Sequence, residues 1–126
     1  MRQGPVVDTP YLRVLRARGY TVLEFRGEID IVAAREIGPR LDEATSGAAP
    51  RVVIDLTRIE FFDCSGLRLL YRARARVLDR GGDLRLVCGH PLTLRVLRVA
   101  GLHRLLPPVS TLDAALDRPE AASGTS

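Results

Sequence analysis

Reactive side chains are concentrated in one short run, Asp63-Cys64-Ser65-Gly66, which places a carboxylate, a thiol and a hydroxyl on consecutive residues. The run falls where a β-branched stretch (Val52, Val53, Ile54) gives way to apolar residues at helical spacing (Leu67, Leu70, Ala73, Val77). That change of period implies a strand leading through a short loop into a helix. Asp63 or Ser65 can accept the free backbone N–H groups of the first helical turn. The same N-terminus, with its partial positive charge, can seat a phosphate or an acidic group. Covalent catalysis would use Cys64 as a thiolate, which a helix start favours and the neighbouring charge of Asp63 opposes. A base would have to come from His90 or His103, and only His90 falls at the end of a later strand-like run. A thiol-dependent enzyme is therefore the remote alternative, and the chain is expected not to be an enzyme.

Arginine is the second conspicuous feature. Arg68, Arg72, Arg76 and Arg80 recur every four residues, with Arg74 between them. Like charges at that spacing repel slightly, so an isolated helix gains nothing from them. Either their stems cover apolar surface on a solvated face, or they form a stripe continuous with the turn and aimed at carboxylates or phosphates of a partner. The chain has 19 arginines and no lysine, a formal charge of +4 and a pI near 9.8. That balance suits an acidic protein, nucleic acid or an anionic membrane surface. Nucleic acid is not expected, because the basic helix lacks interleaved aromatics and a helix-turn-helix pattern.

Other chemistries find little support. Cys64 and Cys88 are too few for a disulfide framework and lack metal-ligand spacing. Gly81-Gly82 lacks the lysine and hydroxyl of a phosphate-binding loop. No metal and no cofactor are expected. No apolar run approaches the roughly 20 residues needed to cross a bilayer, and the first residues lack a signal peptide's apolar core. The expectation is no membrane insertion and a cytoplasmic location.

The elements that must position the turn follow from periodicity. With 126 residues, 46% hydrophobic and 27% charged, the chain is read as one globular domain. Residues 1–10 form a flexible lead-in, 11–117 the folded domain, and 118–126 a disordered tail. Strands at 11–17 and 21–26 make a hairpin turning at Gly19-Tyr20. Asp30 caps a helix over 31–44, with Ile31, Ala34, Ile37 and Leu41 on its buried face and Pro39 kinking it or shifting its start. A central strand at 51–56, a helix over 65–80 and a strand at 83–88 come next. A helix over 91–99, a short strand at Leu105-Leu106 and a last helix at 112–116 complete the order. Strand–helix alternation predicts an α/β fold, a mixed, largely parallel sheet of four to five strands packed against about four helices.

Three stretches carry a resemblance: Phe61-Phe62-Asp63-Cys64-Ser65-Gly66-Leu67 between strand and helix, Gly27-Glu28-Ile29-Asp30 after the second strand, and residues 91–101 ending in Gly. Together they resemble the STAS domain, the family of anti-sigma factor antagonists, over residues 11–116. The resemblance implies a STAS-like fold and a regulatory module of partner switching in transcription. Such a module binds an anti-sigma factor of the ATP-binding serine kinase type and frees its sigma factor. It implies a partner-binding surface of Asp30, Asp63, Cys64, Ser65, Gly66, Arg68 and Arg72. In phosphoregulated members the residue after the motif Asp is a phosphoacceptor serine or threonine; here that position is Cys64. The expected consequence is a constitutive antagonist, then Ser65 as a displaced acceptor, then control by thiol oxidation. The alternative is a STAS subunit of a larger complex, stressosome-like or lipid-transport, and a homodimer is left open.

Overall fold

Val52, Val53, Ile54 and Leu56 are all inaccessible to solvent, the condition of a strand covered on both faces. They belong to β4 (Arg51–Phe62), next to the middle of a five-stranded sheet in a computed structural model that describes residues 7–118. The sheet is built from β1 (Val7–Asp8), β2 (Leu12–Ala17), β3 (Tyr20–Ile29), β4 and β5 (Asp83–Val87), in that spatial order. β1 and β2 pair antiparallel, as do β2 and β3, whereas β3–β4 and β4–β5 are parallel. Each parallel pair is joined by a crossover helix, α1 (Ile31–Ala44) and α2 (Cys64–Asp79). Then follow α3 (Pro91–Val99), the single turn α4 (Leu102–Leu105) and α5 (Leu112–Asp117).

One face of the sheet holds the main core. Leu23, Phe25, Ile54 and Leu86 pack there with Ile37 and Leu41 of α1, Leu70 and Ala73 of α2, and Leu97 and Leu102 of the α3–α4 segment. The opposite face is apolar at one end, where Tyr20, Val22, Val53 and Val87 meet Ala115 of α5. Arg85 holds α5 in place: it is 6% exposed and donates to the carbonyls of Ala115 (2.5 Å) and Arg118 (2.8 Å). Its charge is met by Asp83 at 3.0 Å, and Tyr20 donates to the same carboxylate at 2.6 Å.

Several elements depart from the sequence-based expectation for local reasons. Val7 and Asp8, within the stretch expected as lead-in, pair with Val14 and Arg13; the expected tail, beyond Arg118, lies outside the described residues. The hairpin turns at Arg18-Gly19, not Gly19-Tyr20. Both turn residues have positive φ (51° and 83°), the twist a two-residue hairpin needs. β3 continues through Gly27 to Ile29 because Gly27, at φ 71°, accommodates a bulge in the ladder. β4 likewise runs to Phe62, so no loop separates it from the turn. α1 passes unbroken through Pro39. Gly38 precedes it and has no Cβ to clash with the proline ring, which removes much of the usual obstacle. Leu105 is helical, and the residue that bridges the sheet edge is Val109, paired with Val87.

Candidate functional site

Two neighbouring parallel strands end alike. β3 ends at Ile29 and β4 at Phe62, which are register partners, and the N–H of Asp63 donates to the carbonyl of Ile29 at 3.4 Å. The next residue on each strand is an aspartate that caps a helix. Asp30 Oδ1 accepts from the N–H groups of Val32 (3.0 Å) and Ala33 (3.1 Å), and Asp63 Oδ1 accepts from that of Ser65 (2.8 Å). Their backbones are nearly superimposable, with φ/ψ of −107°/−165° and −109°/−163°. Capping therefore explains both carboxylates, and two helix N-termini are brought side by side at the carboxyl edge of the sheet, where open α/β folds place their sites. Replacing Asp30 with alanine is expected to cost about 1 kcal/mol, read as a lower denaturant midpoint with an unchanged slope.

Cys64 is the exposed residue of the Asp63–Gly66 turn, while Asp63 and Ser65 are half-buried. Gly66 is buried, and a Cβ there would lie 2.5 Å from the Phe62 ring. Its contribution is to let the first turn of α2 settle onto that ring. The same edge carries an apolar rim that the sequence reading missed: Ile31 is 58% exposed, Val32 56% and Phe61 53%. Ile31 had been assigned to the buried face of α1, but that face is Ala33, Ile37, Gly38 and Leu41. Phe61 and Phe62 point to opposite sides of β4, and at this end of the strand only the side of Phe62 is covered.

The arginines do not form one stripe. Arg72 is ion-paired with Asp42 of α1. Arg76 donates to Thr45 Oγ1 at 2.6 Å and to the carbonyl of Asp42 at 3.0 Å. Both tie α2 to the end of α1. Arg68 is exposed and has no ion pair among the described residues; it flanks a groove of about 500 Å³ between α1 and α2, with Ile31, Arg35, Gly38, Ser65 and Arg72. Tyr71 and Leu78 are also exposed on α2, interspersed with Arg68, Arg72, Ala75 and Asp79.

Neither histidine shares a hydrogen bond with Cys64 among the described residues, and His90 contacts Thr93 instead. Cys88 is in the main core, where burial pushes its thiol upward from the ordinary range. No helix among the described residues is long and apolar enough to cross a membrane.

Fold and edge together define a small α/β domain that presents two capped helix N-termini and an apolar rim. A family model described as the STAS domain matches residues 11–115, and the chain belongs to that family. An anti-sigma-factor antagonist (STAS) domain protein from Planctomyces limnophilus superimposes with a TM-score of 0.76 at 31% identity, covering 83% of this chain and 94% of that one. The anti-sigma-F factor antagonist RsfB of Mycobacterium tuberculosis is 28% identical over 109 residues, 86% of this chain and 88% of RsfB. A further protein of that organism, Rv2638, is 36% identical over 78 residues, which span 60% of this chain and 53% of Rv2638.

Proposed function

We propose that the chain is an anti-sigma factor antagonist. It docks through the Asp30/Asp63 edge on an anti-sigma factor of the kinase type and frees a sigma factor, acting in the cytoplasm without chemistry of its own. The observation that carries this reading is the exposed apolar rim of Ile31, Val32 and Phe61 on the strand-end edge that also presents Cys64. Three large apolar side chains left in water beside a turn are the composition of an interface core, with Arg68 at its margin. Asp30 and Asp63 act by fixing the two turns, and Arg72 by holding α2 against α1.

The test is a titration against the kinase-type anti-sigma factor of the same cell. Phe61→Asp is expected to weaken binding by roughly thirtyfold, the scale of an interface hot spot, while the melting temperature of the exposed-site variant stays near that of the wild type. The reading fails if wild type does not displace sigma factor from the complex, or if Phe61→Asp displaces it equally well.

A further inference from the structure

On the flank of α2 remote from α1, the surface is basic and apolar at once. From residue 84 to residue 112 the chain contains no Asp or Glu. Within that span α3 exposes Leu92 (68%) and Val99 (83%), and α4 exposes Leu105 (48%). Arg95, Arg98 and Arg104 are exposed among them, and none forms an ion pair among the described residues. Helical spacing puts Leu92, Arg95 and Val99 on one outward line, at i, i+3 and i+7. The α3–α4 corner is fixed to α2, since Tyr71 donates to the carbonyl of Ala100 at 2.7 Å and Arg74 to that of Leu105 at 3.3 Å. Asp79, the one acidic residue of α2, falls by spacing on the side towards α1.

We propose that this α3–α4 surface binds peripherally to an anionic lipid bilayer. Its arginines would meet the headgroups while Leu92, Val99 and Leu105 enter the boundary with the acyl chains. Three features favour a membrane over other acidic partners. The aliphatic side chains project and line none of the three cavities described for the molecule, so a protein would have to supply matching hollows where a bilayer deforms. Residues 84–118 contain no Phe, Tyr or Trp, so the surface lacks the row of large aromatic rings on which successive nucleic-acid bases stack, Tyr71 at its border being the nearest such ring. A second copy of the chain would bring its own uncompensated arginines against these. The surface is distinct from the Cys64 rim and needs no anti-sigma factor, so its test stands apart from the antagonist reading.

The experiment is co-sedimentation of the intact chain with vesicles of phosphatidylglycerol and phosphatidylcholine in equal parts, against vesicles of phosphatidylcholine alone. Binding is expected only to the anionic vesicles and should weaken with added salt. Because each basic residue near such a surface contributes roughly fivefold in partitioning, the triple variant Arg95→Gln, Arg98→Gln, Arg104→Gln should lose more than tenfold. Val99→Asp with Leu105→Asp should abolish sedimentation while circular dichroism remains native. A control with the same change in net charge elsewhere, Arg16→Gln, Arg40→Gln, Arg58→Gln, should stay within about twofold of wild type by the same locality. Absence of binding to anionic vesicles would overturn the proposal and leave the patch to an acidic protein. An equal loss in the control triple, or unimpaired binding by the aspartate pair, would overturn it as well.

Discussion

Changing Cys64 to serine is expected to turn the chain into a kinase substrate and, once phosphorylated, to lower its affinity for the anti-sigma factor by about a hundredfold. The side chain at this position is exposed, follows the capping Asp63 and opens α2. If position 64 is equivalent to the acceptor of phosphoregulated members, as the resemblance of the Asp63–Gly66 turn implies, a serine hydroxyl there would be presented to a kinase, whereas a thiol is not a substrate for that chemistry. The phosphate would add roughly −1.5 to −2 charges. Within the chain it is tolerated, because the first-turn N–H groups of α2 and the helix dipole face it. Against a partner the balance reverses. Ile31, Val32 and Phe61 are exposed on the same edge, so docking there would strip water from a dianion beside the Asp63 carboxylate, and truncating or mispairing a buried charge commonly costs 2–5 kcal/mol. Intact mass after incubation with kinase and ATP should show one phosphate on Cys64→Ser and none on wild type. A phosphate on wild-type Ser65 would refute constitutive antagonism. A Cys64→Ser protein that takes no phosphate would show that the turn is not read by the kinase.

What the sequence made legible was set by residue type, and what it concealed was set by angle. Asp30 and Asp63 were recognisable as caps because each precedes a change of period, and both do cap. The run at Val52-Val53-Ile54 was recognisable as a central strand by its β-branched composition and length. The arginine stripe misled because a spacing of four residues advances about 40° beyond a full turn at each step. From Arg68 to Arg76 that drift moves the side chain from the exposed surface to the contact with Thr45 and Asp42. The rim was missed for a related reason. Ile31 has the right spacing from Ala34 and Ile37 to be core, but as the first residue after the cap it projects beyond the end of the sheet, where nothing covers it. The short segment at Leu105-Leu106 was ambiguous in principle, since two leucines before Pro107-Pro108 suit a helical turn and an edge strand equally, and only packing on Leu102 decides.

Gly66→Ala should be the most damaging single-methyl change at the site, destabilising the chain by about 2 kcal/mol. Alanine is the better helix former by about 1 kcal/mol, so propensity alone predicts stabilisation. Geometry decides against it. The added Cβ would lie 2.5, 2.7 and 2.8 Å from Cε1, Cδ1 and Cζ of Phe62, an entire ring edge rather than a flexible tip. The ring cannot swing away freely, since Phe62 is 7% exposed and packed in the main core. Relief requires α2 to lift from β4, which moves Cys64 and the start of the helix, so binding should fall together with stability. Phe62→Leu supplies the discriminating experiment. It removes the ring edge at the cost of a smaller core side chain, and in that background Gly66→Ala should cost much less than in wild type, a coupling of the size found between touching residues. Equal costs in the two backgrounds, measured by denaturant unfolding, would mean that Gly66 is required for the backbone of the turn and not for the approach of the ring.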